Sequence, residues 1–313
     1  MERVSTSGVY QSALLNILSA ESRQNDAQTQ VSTGKVASDL KGFGIQADTL
    51  AATRSLSSRI DSYVENAKSL SSTLTVQDQA LSQLADSAQG ARNAIAEAIA
   101  TGSATGLMTT LQGYLSQATD SLNSNYQGRY LFAGSQSGTA PVGSLTLADL
   151  TAAPSIPGLF SNDQQVATSR LDDKQTVTTG FLASNLGQPL FQALQAVEAL
   201  NQGGSGPLSG TLTQAQQTAL TGMLAQFDST YDGLNTAVAQ NGGAQNRVAA
   251  TQTALVDRQT ALGGVLMGIT DVDMGEALSK LQLSQTALQA SAQAFSTLKA
   301  SSLLNILAPT ANG

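Results

Sequence analysis

The chain has 313 residues, of which only 12% are charged; 15 basic side chains stand against 22 acidic ones, and there is no His and no Cys. Without His or Cys there is no Ser-His-Asp catalysis, no thiol nucleophile, no disulfide and no set of the usual zinc or haem ligands. A net charge of −7 with no clustered Lys or Arg excludes a nucleic-acid surface. Hydrophobic residues reach 41% but aromatics only 4%, so the apolar surface is mostly Ala, Leu and Val, which suits long thin helical seams better than a broad core.

Met1-Glu2-Arg3 leads into polar Val4-Ser5-Thr6-Ser7-Gly8, so no cleaved secretory signal is expected. Leu14-Leu15-Asn16-Ile17-Leu18 is too short to insert in a membrane. Leu14, Leu18, Ala27 and Val31 are helically spaced and predict a first helix over residues 1–33, thinly apolar on one side. The stretch Gly34 to Gly44 breaks it.

Five of the 6 prolines fall between Pro141 and Pro207, and the sixth is Pro309. Proline is the residue that helix interiors exclude most strongly, so the chain reads as a helical arm, an irregular or β-rich middle and a second helical arm. In the first arm Leu56, Ile60, Tyr63, Ala67, Leu70, Leu74, Gln77, Leu81, Leu84, Ala88, Ala91, Ile95 and Ala98 alternate by 4 and 3 without a slip. Twelve of these thirteen are apolar, where about five would be expected at this composition. A sustained 3.5-residue period keeps one apolar seam facing a partner helix, the coiled-coil signature, and at ~1.5 Å per residue it runs roughly 64 Å. Gln77 is the one polar seam residue, fitted either to fix register or to sit where the seam is wet.

The middle, from about Ala133 to Gly210, is rich in Gly, Ser, Thr and Pro. Val166 to Leu171 and Gln175 to Gly180 alternate loosely around Asp172-Asp173-Lys174, which predicts a hairpin. Leu190 to Leu200 predicts a short amphipathic helix. An enzyme built on the Asp172–Asp173 carboxylates is the weaker reading, because adjacent residues point apart in a strand and acidic pairs mark turns.

In the second arm Leu220, Leu224, Phe227, Tyr231, Leu234 and Val238 repeat the 4–3 spacing, and Val248, Leu255 and Leu262 continue it. Asn241, Gln245, Gln252 and Gln259 interrupt, so the seam is expected to loosen near Gly242-Gly243, and Gly263-Gly264 with Gly268 to break the arm. Met274, Leu278, Leu281, Leu288, Ala292, Phe295 and Ile306 predict a last helix, with Asp273 as N-cap and Glu276 three residues on, the capping-box spacing. Leu-Leu-Asn-Ile-Leu occurs at 14–18 and again, from Leu303, at 303–307. The repeat is either coincidence in a Leu-rich chain or a similar stripe at both extremities.

The predicted fold is mainly α: a long antiparallel coiled-coil-like rod formed by both chain ends, with a small β-containing module inserted in the middle. Its segments are an assembly helix (1–33), half the rod (34–132), the outer module (133–210), the other half (211–268) and a C-terminal assembly helix (269–313). The stripes of the two terminal helices have no evident partner within one chain, and short isolated helices are marginal in water.

Three groups of residues carry a resemblance. They are Arg3-Val4-Ser5-Thr6-Ser7 with Val31-Ser32-Thr33-Gly34-Lys35; Gly128-Arg129-Tyr130-Leu131-Phe132-Ala133-Gly134-Ser135; and Asp271-Val272-Asp273-Met274-Gly275-Glu276-Ala277 with Leu281, Gln285-Thr286-Ala287-Leu288 and Leu303 to Leu307. In this order they resemble the flagellin family, and within it the hook-associated branch. The resemblance implies a non-enzymatic structural subunit of the bacterial flagellum, with no cofactor and no metal, that is exported unfolded without a cleaved signal peptide. Implied partners are copies of itself, other axial proteins (hook-associated protein and flagellin) and an export chaperone that binds the C-terminal helix. A filament flagellin is the alternative within the family, and a secreted coiled-coil adhesin or effector the alternative outside it. Asp39-Leu40-Lys41-Gly42-Phe43-Gly44 departs from the family's usual loop, and Gln89-Gly90-Ala91-Arg92-Asn93 keeps one Arg of the stretch that an immune receptor reads in filament flagellins.

Overall fold

The computed structural model describes residues 2–307, with side chains from Gly8 to Ala300. Seven α-helices follow in chain order: α1 (Glu2–Thr33), α2 (Ala47–Thr101), α3 (Leu107–Leu122), α4 (Leu147–Ala152), α5 (Ala183–Gln202), α6 (Gln214–Thr270) and α7 (Met274–Leu307). Two short antiparallel ribbons complete the fold. Strand β1 (Asn125–Tyr126) pairs with β2 (Arg129–Tyr130), and β3 (Thr168–Arg170) with β4 (Thr176–Thr178) in the register Thr168 to Thr178 and Arg170 to Thr176. The mainly α architecture read from the sequence is the one observed, with its few strands in the middle of the chain.

Contacts divide the chain into two compact units, residues 1–59 with 258–313, and residues 60–257. In the first, α1 and α7 pack against each other. They run antiparallel, since Tyr10 meets Phe295 edge-on at 6.0 Å while Gly34 at the end of α1 accepts from the N–H of Val272 at 3.0 Å. The terminal helices therefore find a partner within one chain, contrary to the expectation from their sequences.

The second unit holds the main core. Leu81, Leu84, Ala88, Ala91 and Ile95 of α2 pack there with Leu220, Phe227 and Leu234 of α6, Leu111 and Leu115 of α3, and Leu190, Phe191 and Leu194 of α5. Beyond position 80, α2 is buried on two sides, at Ala80, Ala85 and Ser87 as well as along the predicted seam. Small residues on that second side let other helices approach closely. The middle of the chain contributes α4 and α5 as well as the β3–β4 ribbon and shares its core with the long helices. Asp149 completes a capping box with Thr146 at the start of α4, and these hydrogen bonds hold its carboxyl below the usual range.

Several boundaries differ from the sequence reading. The helix expected to run toward residue 132 ends at Thr101, where Gly102 (φ +68°) and Gly106 (φ +79°) turn the chain into α3. Conversely, α6 continues through Gly242-Gly243, Gly263-Gly264 and Gly268 to Thr270. A glycine costs a helix only about 1 kcal/mol relative to alanine, which the packing of a 57-residue helix outweighs. The break falls instead at residues 271–273, where Asp273 Oδ1 accepts from the N–H groups of Gly275 (2.8 Å) and Glu276 (3.2 Å). Asp273 is the N-cap as predicted; Glu276 pairs with Lys280 at 2.8 Å, one turn along α7, rather than completing the box.

Candidate functional site: the faces of the terminal and long helices

On α1 the buried or half-buried positions among the described side chains are Tyr10, Ala13, Ile17, Ala20, Gln24, Ala27, Gln30 and Val31; on α7 they are Ala277, Leu281, Ser284, Leu288, Ser291, Phe295 and Leu298. Gln30 apart, both sets step by 3 and 4, and small residues (Ala13, Ala20, Ala27, Ala277, Ser284, Ser291) alternate with larger ones (Tyr10, Ile17, Gln24, Val31, Leu281, Leu288, Phe295, Leu298) along one narrow stripe. This corrects the predicted stripes. Val31, Leu281, Leu288 and Phe295 lie on the covered face, but Leu14 (48% exposed), Leu18 (53%), Met274 and Leu278 lie off it, as do Leu15 and Leu283. The covered stripe includes Ala13, Ala20, Gln24, Ala27, Ser284 and Ser291, which a count of large apolar residues passes over. Leu303 and Ile306 lie outside the described side chains.

A backbone clasp joins the end of α1 to the start of α7. Val36 N–H donates to the carbonyl of Thr270 at 2.8 Å, and Lys35 Nζ pairs with Asp271 at 2.5 Å. The Lys35 ammonium, and after it the Thr270 hydroxyl, hold the Asp271 carboxyl below its ordinary value of 3.8. A carboxyl depressed in the folded state contributes stability above its unfolded value and loses it as pH falls through the folded one. The amides of Val36 and Val272 should therefore lose exchange protection as pH drops from neutral through and below 3.8; unchanged protection would remove the ion pair from the account.

In the second unit the predicted seam of α2 is buried at Ile60, Leu74, Gln77, Leu81, Leu84 and Ile95 and half-buried at Tyr63 and Leu70. Leu56 is 39% exposed, because the covered stripe there passes through Leu50, Thr53, Ser57 and Ile60, whose polar members an apolar count overlooks. On α6, Leu220, Phe227 and Leu234 are buried, while Leu224, Tyr231 and Val238 border a stripe that runs through Thr230, Ala237, Asn241, Ala244, Val248, Thr251 and Leu255. The seam does not loosen at Gly242. It turns polar and stays closed.

Gln77 and Asn241 are what closes it. Gln77 Nε2 donates to the carbonyl of Thr179 at 2.9 Å and to Asn241 Oδ1 at 3.2 Å; Asn241 Nδ2 donates to the Leu74 carbonyl and to Asp78 Oδ1, both at 3.0 Å. Gln245 adds a third amide to the Leu74 carbonyl. Against this layer lies the β3–β4 hairpin, whose Leu171 and Val177 are buried with Ala67, Leu74, Ala244 and Val248, and with half-buried Leu70. The outer module therefore reaches back along the long helices. Asp172 Oδ1 accepts from the N–H groups of Lys174 and Gln175, each at 2.7 Å, which makes the turn; Asp173 accepts from Tyr63 Oη at 2.8 Å and from Arg170. Both carboxylates hold the hairpin, the turn role read from the sequence.

The Gly128 to Ser135 motif follows α3. Gln127 (φ +52°) and Gly128 (φ +76°) make the β1–β2 turn, Phe132 is fully buried, and Ser135 donates through both N–H and Oγ to Asp163. A Cβ on Gly134 would collide with that carboxylate, so glycine is required there. Asp163, held below the usual carboxylate range first by the Ser135 hydroxyl and then by backbone N–H groups, has no sequence signal because its partner lies 28 residues away. Arg92 pairs with Asp228 at 2.9 Å.

Among the described residues no three His, Cys, Asp or Glu side chains cluster to hold a metal, and no helix is long and apolar enough to cross a membrane. The chemistry on display is the covering of helical faces.

Comparisons with known proteins agree with that geometry. The flagellar hook-associated protein 3 of Escherichia coli K12 is 24% identical over 97% of this chain and 99% of its own length, and that of Salmonella typhimurium LT2 is 22% identical over the same shares. A solved structure described as a flagellar hook-associated protein from Vibrio parahaemolyticus superposes with a TM-score of 0.59 at 20% identity, over 71% of this chain and 96% of that one. Bacillus cereus FlgL gives 0.53 at 17%, over 69% and 98%. These two establish likeness of fold. The family model for the bacterial flagellin N-terminal helical region matches residues 4–137 and that for the C-terminal helical region residues 224–307. With more than half of its length so matched, at the two ends that carry the long helices, the chain belongs to the flagellin family.

Proposed function

We propose that this chain is the structural subunit that joins hook to filament, and that it polymerises through its two terminal helices. Membership of the flagellin family makes it a structural component of the flagellum, a family that implies self-association and contact with other flagellar components. The junction role rests on the hook-associated relatives, which align along nearly the whole chain. The observation that carries the polymerisation is the α1–α7 pair. It covers one stripe of each helix, from Tyr10 to Val31 on α1 and from Ala277 to Leu298 on α7, and leaves Leu14, Leu15, Leu18, Leu278 and Leu283 exposed. Leu14, Leu15 and Leu18 stand close together on α1, and exposed apolar side chains so gathered suit a surface that another protein covers.

The wider reading keeps the chain non-enzymatic, exported to the flagellum, and met by a chaperone on α7, the region of Asp273, Glu276, Leu281 and Leu288. Electron microscopy of a deletion strain tests the junction role. Hooks without filaments, with flagellin shed into the medium, are expected. Filaments of normal length and number would overturn it, and loss of the filament protein itself would point to filament flagellin.

A further inference from the structure

The loop between α1 and α2 carries the most exposed large apolar side chain described, Ile45, at 99%. An exposed isoleucine is unremarkable on a mobile loop, but this loop is built to hold it. Asp39 caps the 3₁₀ turn of Leu40–Gln46 by accepting from the N–H of Gly42 at 3.0 Å. Phe43 is buried beneath that turn, and a Cβ on Gly42 would collide with Ala37. Gly44 (φ +53°, ψ −123°), a conformation reserved for glycine, kinks the chain just before Ile45. The other end is tied by Gln30 Nε2, which donates to the carbonyl of Val36 at 2.9 Å, and by the Thr270 and Asp271 clasp. A loop fixed at both ends and kinked at one glycine presents an apolar side chain with its ordering cost already met.

The same unit of the fold contains a matching hollow. Between α1 and α7 a hollow of about 420 Å³ is lined by Ala20, Ala27, Leu283 and Ala287 together with the polar Gln30 and Ser284. Arg23, Asp26 and Lys280 also line it, the last paired with Glu276, while Lys41 and Asp48 lie near Ile45 in the sequence, so both surfaces carry charges of both signs and neither repels a second copy by net charge. We infer that Ile45 is a knob that seats in the α1–α7 hollow of a second copy of this chain. The inference rests on the assembly reading above and names its contact. Knob and hollow are different surfaces of one molecule, so the contact is head-to-tail, and such contacts build rings or helical arrays rather than closed pairs.

The absence of native cysteine allows a direct test. Ile45→Cys and Leu283→Cys chains are co-expressed, flagella are sheared off and oxidised, and subunits are resolved without reductant. A disulfide between the unlike variants, absent when either is expressed alone, is expected. No cross-link in assembled material overturns the inference, as does Ile45→Cys joining itself or reaching a different axial protein. Ile45→Asp should leave the monomer's melting temperature unchanged and lower the incorporated subunit at least tenfold. Normal incorporation of Ile45→Asp, in a background where deletion gives bare hooks, sinks the knob and spares the junction role. Normal filaments in the deletion strain sink the junction role itself.

Discussion

Leu14→Asp combined with Leu18→Asp should abolish motility while leaving the purified monomer as stable as the wild type. Both side chains lie off the covered face of α1, and substitutions at such positions usually change stability by about 0.5 kcal/mol or less. In an assembled layer each aspartate would be an unpaired charge removed from water, which a group resists by several kcal/mol or by taking up a proton. Truncated interface anchors commonly cost about 2 kcal/mol or more each, so two should lower assembly by well over tenfold. Swimming assays, electron microscopy and sedimentation of the purified chain read the two halves separately. A double variant that swims like the wild type would remove this face of α1 from assembly; one that melts early would mean that the two leucines serve the fold.

Asn241→Ala should destabilise the second unit by roughly 2–3 kcal/mol. It removes three hydrogen bonds, leaving the Leu74 carbonyl with Gln245 alone, Gln77 with Thr179 alone and Asp78 without its amide donor, and each such bond contributes about 0.5–1.5 kcal/mol. Gln77→Leu combined with Asn241→Leu should cost less than the two single changes summed, by at least about 1 kcal/mol, because apolar groups placed on both sides leave no side-chain amide stranded. The Thr179 carbonyl still loses its donor in that pair, so the β3–β4 hairpin should exchange faster. Additive losses in chemical denaturation would mean that the two amides act independently and that the layer does not set the register of α2 against α6.

The same layer shows how far sequence reading reached. Gln77 stood out as the polar break in an apolar seam, with register and solvation both open, and its burial against Asn241 and the hairpin decides for a dry, bonded amide. Asn241 itself was read as the place where the seam loosened. From one chain an amide in a heptad position looks the same whether its partner is water or another amide 164 residues away. The terminal helices failed in the opposite direction: Leu14 and Leu18 drew the eye as a stripe, but Tyr10, Ala13, Ile17 and Ala20 are the covered residues. The covered stripe mixes small residues with large ones, and a search for large ones alone passes over its Ala members.

Periodicity and proline placement settled the helical arms, the hairpin around Asp172-Asp173-Lys174, the Asp273 cap and, with three short motifs, the family. All of these are local: a 3.5-residue repeat, a cap or a turn depends on neighbours within a few residues along the chain. Which side of the two terminal helices is covered, the run of α6 through its glycines, the return of β3–β4 onto α2 and α6, and the Asp163 and Asp271 anchors came from the folded chain alone. Each depends on residues tens to hundreds of positions apart, and at that range the energy of a contact leaves no periodic trace in the order of the amino acids.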